Sequence, residues 1–239
     1  MSSIFHRAEL LLGHEAMSLM ATKRVILFGV GGVGSWCAEG LVRSGIHNLT
    51  IVDYDRVVPS NINRQLMATT ETVGLLKTEA LRCRLLSINP AADITAVSQA
   101  FTSDNADTFH LDSYDYIIDA IDSLPDKALL ILTATQSAAK LFSSMGAALK
   151  LDPTCIRTAE FWRVEGDPLA RALRRQFKRN NQYPARKFTC VFSDERQQNK
   201  TGSAQPNANG GRINGSLVHI TAIFGFTLAA LVVQDIIKS

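Results

Sequence analysis

No two of the four cysteines, Cys37, Cys83, Cys155 and Cys190, stand close enough to form a C-x-x-C pair. That excludes the usual four-cysteine structural zinc site, whose ligands come in close pairs. The opening residues, Met1-Ser2-Ser3-Ile4-Phe5-His6-Arg7, hold no apolar signal core, so the expectation is a reducing cytoplasm with free thiols. Net charge is also scarce: 239 residues carry only +3, and any basic surface must be local. No internal repeat is present. There is one long apolar run, Gly215 to Val233, broken only by Ser, Thr and His219. It is about long enough to span a bilayer, but His219 and Gly225 within it favour a helix closing the protein core. Peripheral membrane contact through this helix is the second reading. With 46% hydrophobic and 20% charged residues, the composition is that of a folded soluble protein with a substantial core.

Apolar runs and their punctuation predict strands alternating with helices. Leu10 to Met20 reads as a short helical stretch. Arg24 to Phe28 reads as a strand buried on both faces, and an apolar helix through Trp36, Leu41 and Val42 ends at Gly45, a helix C-cap. Leu49 to Val52 is the next strand and closes a βαβ unit. Leu75 to Ile88 is a helix stopped by Asn89-Pro90. Ile94 to Val97, Tyr116 to Ile118 and Leu141 to Met145 are further strands, with Lys127 to Ala139 helical between the last two. The expected fold is α/β: a Rossmann-like, doubly wound, mainly parallel sheet. Thr154 to Val164 and Lys187 to Phe192 read as added strands, Pro168 to Lys178 as a basic helix, and Gly215 to Val233 as the final helix. The expectation is one domain over 1–239, with a nucleotide-binding half, 1–150, and a substrate-binding elaboration, 151–239. Residues 201–215, rich in Gly, Asn and Ser, read as a mobile loop and a candidate lid.

Gly29, Gly31, Gly32 and Gly34 form a G-x-G-x-x-G block between a strand and a helix. Such a loop lets the backbone approach a phosphate, and the helix N-terminus offers N–H groups to it. Asp53, in the block Asp53-Tyr54-Asp55, ends the next strand, where a carboxylate can accept ribose hydroxyls. NAD, FAD and ATP all remain open at this point.

Three further blocks narrow the choice. Asn61, Arg64 and Gln65 put a planar guanidinium and two amides after the second strand, a set suited to phosphate oxygens. Lys77 opens the next helix, where it can reach a phosphate as a point charge. Asp122 lies just past the fourth strand, on the edge where such sheets bind ligands, and can hold Mg²⁺ directly or through water. An NAD-dependent oxidoreductase would leave Arg64, Lys77 and Asp122 without work.

These blocks resemble the adenylating superfamily of ubiquitin-activating enzymes and of the bacterial activators of sulfur-carrier proteins, over roughly Leu10 to Met145. The resemblance implies that Asp53, with Asp55 in its block, serves the ribose end of ATP. It implies further that Arg64 and Lys77 hold the phosphates, Asp122 the magnesium, and Asn61 and Gln65 the same site. Arg7 is similar to the arginine that this superfamily lends to a partner subunit's ATP, which implies a homodimer. The sulfur-carrier activators carry zinc cysteine pairs that this chain lacks. Its second half resembles instead the tRNA threonylcarbamoyladenosine dehydratases, through Asp152-Pro153-Thr154, Gly166-Asp167-Pro168, Cys190-Val191-Phe192-Ser193 and Asn214-Gly215-Ser216. That branch implies adenylation of a threonyl carboxylate on tRNA, ring closure by the neighbouring ureido group, and release of AMP. It also brings sulfur-transfer proteins into the set of partners. Activation of a ubiquitin-like sulfur carrier is the alternative, and a non-catalytic, nucleotide-sensing RNA-binding protein a further rival. Cys190 is a candidate thioester former only if ring closure needs an enzyme nucleophile, which it does not.

Arg157 to Lys187 supports an RNA partner independently: it holds nine basic residues against three acidic ones, a net of +6. Arg171, Arg174, Arg175, Lys178 and Arg179 follow helical spacing and are expected to form one tRNA-binding face.

Overall fold

The computed structural model describes residues 4–201 and 213–238. Strands β1 (Arg24–Phe28), β2 (Asn48–Val52), β3 (Asp93–Val97), β4 (Tyr116–Asp119), β5 (Lys140–Ser144), β6 (Ile156–Glu160) and β7 (Thr189–Ser193) build one seven-stranded sheet, in the order β3-β2-β1-β4-β5-β7-β6. All neighbours are parallel except β6 and β7, which pair antiparallel. The chain winds outward from β1 to one side and from β4 to the other. The switch point between β1 and β4 therefore opens at their C-terminal ends. The central strands read as continuous apolar runs because both faces are covered. Helices α2 (His14–Thr22), α3 (Gly34–Ser44), α4 (Lys77–Ile88) and α7 (Val218–Lys238) share one core cluster. Helices α5 (Leu124–Ala134) and α6 (Pro168–Asn180) share the cluster on the opposite face.

The terminal apolar run is a core helix. Among the described residues, α7 is the one helix long and apolar enough to cross a membrane, yet half of its most apolar window is buried in the protein. It crosses α3 so closely that a Cβ at Gly225 would lie 2.4 Å from the Val33 carbonyl oxygen. No side chain fits there, which accounts for a glycine inside an otherwise strong helix.

Several boundaries differ from the sequence reading. The N-terminal stretch is two helices, α1 (His6–Leu12) and α2, because Gly13 between them sits at φ +83°. The expected strand Thr154 to Val164 shrinks to β6, with tight 3₁₀ turns at Pro153–Cys155 and Phe161–Arg163. Phe161 leaves the strand direction to become fully buried. Helix α5 starts and ends earlier than 127–139, because Pro125 suits a first turn. The last helix starts and ends later than 215–233. Residues 202–212 of the predicted lid lie outside the described residues.

Candidate active site

A cavity of about 950 Å³ opens at the switch point. The glycine loop forms its floor. Gly29 has φ +83°, and a Cβ on it would lie 2.7 Å from the Ala120 carbonyl oxygen. Only glycine lets the turn after β1 lie against the turn after β4. Asp53 ties the loop to the end of β2: its carboxylate accepts the Val30 N–H at 2.9 Å and the Asp55 N–H at 2.9 Å. Burial raises the Asp53 pKa, with the nearby Lys77 charge opposing.

The sequence-predicted residues Asn61, Arg64, Gln65, Lys77 and Asp122 all line this cavity, together with Asp53, Asp55 and the loop glycines Gly29, Gly31 and Gly32. Gly34 begins α3 behind them. Lys77 opens α4, as expected, and pairs with Asp55 at 2.6 Å. Asp55 is thus the partner of the lysine. Arg64 donates to the Ser60 carbonyl at 2.9 Å and to Asn63 Oδ1 at 3.1 Å. Burial lowers its pKa and the Asp122 charge opposes that shift, so the guanidinium stays charged. Trp36 Nε1 donates to the Arg64 carbonyl at 3.0 Å, which fixes the arginine's backbone to α3. Asn61 is buried, and its Oδ1 accepts the Val58 N–H at 3.2 Å.

Gln65 is the informative member. Its side chain is buried, faces the cavity, and leaves Oε1 with no hydrogen-bond partner. A buried unsatisfied amide oxygen is costly, and a ligand donor such as a ribose hydroxyl or an adenine amino group would satisfy it. Asp122 is exposed at the cavity. No group of three or more His, Cys, Asp or Glu side chains that could hold a metal occurs among the described residues. One carboxylate completed by phosphates and water is the arrangement that suits Mg²⁺ rather than an all-protein metal cage.

Other features were not read from the sequence. Asp119 and Lys127, both fully buried, form an ion pair at 2.8 Å. Together they hold both backbone groups of one residue: Asp119 accepts the Ile121 N–H at 3.1 Å, and Lys127 donates to the Ile121 carbonyl at 2.8 Å. Ser143 adds a 2.6 Å bond to Asp119. The residue that follows Ile121 is Asp122, so this latch aims the carboxylate that faces the cavity. The signal was an Asp ending a strand with a Lys one turn into the next helix. On the far wall, Lys150 is buried and donates to the Ser193 and Glu195 carbonyls, both at 2.9 Å. Burial lowers the Lys150 pKa, with Asp167 opposing. Asp167 caps α6 by accepting from Ala170 at 2.8 Å, and also accepts from Gly146 at 3.2 Å. Burial pushes its pKa up. Helix α6 is thereby anchored to the cavity wall.

Two predicted groups stand apart from the cavity. Arg7 is exposed on α1 and does not line it. On α6, Arg171, Arg175, Lys178 and Arg179 are exposed and share a face, but Arg174 is not free on that face. It donates to the Phe161 carbonyl at 3.0 Å and lies over the Phe161 ring. It borders the buried edge of the helix, beside Leu173 and Phe177. Cys190 is fully buried, and burial raises its thiol pKa well above the usual value. It does not line the cavity and is a core residue.

The model of the ThiF family matches residues 6–239. The chain belongs to the ThiF family. It is similar to the tRNA threonylcarbamoyladenosine dehydratase of Escherichia coli, 38% identical over 190 residues, or 77% of this chain and 71% of that one. The enzyme of the same name from Haemophilus influenzae is 34% identical over 233 residues, covering 94% of this chain and 89% of the relative. The crystal structure of the E. coli tRNA N6-threonylcarbamoyladenosine dehydratase, TcdA, in complex with ATP superposes with a TM-score of 0.87 at 33% identity, covering 98% of this chain and 93% of that one.

Proposed function

We propose that this chain is an ATP-dependent tRNA threonylcarbamoyladenosine dehydratase. The observation that carries the reading is one continuous surface. A cavity at the switch point gathers Arg64, Lys77 and Asp122, and the wall of that cavity anchors a basic helix through Asp167. The match in sequence and structure to dehydratases over most of the chain supports it.

In this reading the threonyl carboxylate attacks the α-phosphorus of ATP, the bond to pyrophosphate breaks, and an acyl-adenylate forms on the RNA. The adjacent ureido group then attacks the acyl carbon and expels AMP, so the modified base loses one water. Arg64 and Lys77 neutralise the charge that develops on the departing pyrophosphate. Lys77 exchanges Asp55 for a phosphate oxygen to do so. The Asp53 carboxylate and the Gln65 amide orient the nucleoside end. Asp122 would hold Mg²⁺, which would supply further charge neutralisation. Ring closure is intramolecular and needs no enzyme nucleophile; the walls stapled by Lys150 and Asp167 keep the adenylate from bulk water.

Two chains associate in this reading, with Arg7 lent to the neighbouring cavity. Large apolar side chains left exposed on the N-terminal and C-terminal helices support a homodimer: Leu10, Leu11, Phe226 and Ile237.

The test is incubation with Mg-ATP and unfractionated tRNA, followed by nucleoside mass analysis. The expected result is loss of one water from threonylcarbamoyladenosine, only when ATP is present. An unchanged nucleoside mass with ATP still tightly bound would redirect the assignment to a protein carboxylate, as in activation of a sulfur carrier.

A further inference from the structure

Helix α6 begins at the cavity, where Pro168 and Leu169 form part of the wall. It runs 13 residues, so its far end is about 20 Å away at 1.5 Å per residue. Strand β6 runs antiparallel to β7, so the turn after it lies at the same far end of the sheet. That end carries two exposed aromatic rings. Trp162 is 40% exposed and Tyr183 is 51% exposed. Their ring centroids lie 6.2 Å apart.

Neither ring is a stray surface residue. Trp162 packs edge-on against Phe161 at 5.1 Å, and Phe161 stacks on Phe188 at 4.9 Å and meets Phe177 of α6 at 5.9 Å. The Trp162 backbone N–H donates to the Glu160 carboxylate at 3.1 Å, which fixes the turn that carries the ring. Arg174 bonds the Phe161 carbonyl and so locks this aromatic column to the basic helix. Tyr183 comes soon after the left-handed residue Asn181 that ends α6. Trp162 is thus rooted in the core through Phe161, and Tyr183 meets the Trp162 ring just beyond the end of α6, the helix that bears Arg171, Arg175, Lys178 and Arg179. No acidic residue interrupts α6, and Arg163 and Lys187 flank the rings in sequence and are exposed.

A face that only neutralised phosphates would need no aromatic end. Exposed rings beside a phosphate-binding face are what an unstacked base requires, because every base has a face that can stack. We propose that Trp162 and Tyr183 form a stacking platform for one unpaired nucleotide of the tRNA, a few positions from the base held in the cavity. This rests on the reading of the chain as a tRNA-modifying enzyme. It implies that the RNA is gripped at two points about one helix length apart, with α6 following the backbone between them.

The experiment uses the full chain and tRNA, with binding measured over a salt series. Trp162→Ala is expected to raise Kd about tenfold or more while leaving the slope of log K against log salt unchanged, because every phosphate stays neutralised. Trp162→Phe is expected to keep most of the affinity, since the ring remains. Arg175→Glu with Arg179→Glu is expected to do the opposite and flatten the salt slope, by about 0.7 for each single-strand phosphate left without its cation. Quenching of tryptophan fluorescence on adding tRNA is expected in the parent chain and to be largely lost in Trp162→Phe; Trp36, the other tryptophan, is half-buried, hydrogen-bonded to the Arg64 carbonyl, and does not line the cavity. A Kd for Trp162→Ala within twofold of the parent, with thermal stability unchanged, would overturn the platform while leaving the dehydratase reading intact. Failure of the parent chain itself to bind tRNA would overturn both.

Discussion

Two lysine–carboxylate pairs lie on opposite sides of the glycine loop, and they differ in one respect that decides their work. Lys127 and Asp119 are sealed, with side chains 0% exposed on both partners. Lys77 and Asp55 are open at one side, with the lysine 8% and the carboxylate 49% exposed. The first pair cannot exchange partners without leaving a bare charge in the core. It holds the N–H and the carbonyl of Ile121 and so sets the direction of Asp122. The second pair can release its carboxylate to water and hand its ammonium to a phosphate. Similar chemistry thus serves a fixed joint in one place and a movable contact in the other. A third pairing is intermediate: buried Glu39 joins exposed Arg43 of its own helix and exposed Arg84 of α4 at 2.8 Å and 3.0 Å.

Substitution separates the three, from the largest effect on folding to the smallest. Lys127→Met is expected to destabilise the protein by about 3–5 kcal/mol, because Asp119 stays behind as an unpaired buried charge. A urea midpoint measures this, and Lys127→Met combined with Asp119→Leu is expected to regain part of the loss. If the single variant unfolds like the parent, the latch is not structural.

Lys77→Met is expected to do the reverse. Stability changes by no more than about 1 kcal/mol, since Asp55 is half in solvent, while AMP formation falls by about 100-fold or more. Single-turnover production of AMP checks it. Normal turnover would remove Lys77 from the phosphate site.

The Glu39 pair is read by pH. Burial acts to raise the Glu39 pKa, but hydrogen bonds from Arg84 and Arg43 outweigh it, and the net shift is downward. A carboxylate depressed in the folded state adds stability above its unfolded pKa and loses it as pH falls through the folded value. The parent is therefore expected to lose stability through that acid window. Glu39→Gln is expected to lack that part of the loss and to be slightly less stable at neutral pH. Urea midpoints at several acid pH values would show parallel curves if the pair contributed nothing.

The first half of the chain was the more legible. Its strands are apolar runs bounded by glycine or acid, a pattern set by burial on both faces, so Arg24–Phe28 was placed to the residue and its neighbours nearly so. The place of Lys77 and Asp122 at the cavity was legible because each stands by a helix start or strand end that the pattern already determines, whereas Arg64, in a turn well past β2, was marked only by the polar block it shares with Asn61 and Gln65. The second half was harder. Phe161 and Trp162 look alike in an apolar stretch, yet one is core and the other surface, because a tight turn after β6 sends them in different directions. Arg174 sits within the helical period of the basic face, but the Phe161 carbonyl, thirteen residues away, claims its guanidinium. Lys150 gave no signal, since its partners are carbonyls of residues far along the chain.

Local order, spacing and residue type determined which segments became strands, where the backbone can approach a phosphate, and which charges are available to a ligand. Tertiary structure decided which of those charges are sealed and which are free. The reason is that burial is a sum over segments distant in sequence. Asp119 is closed off by β5 and α5, whereas Asp55 has open cavity beside it, and nothing in the residues next to either carboxylate records that difference.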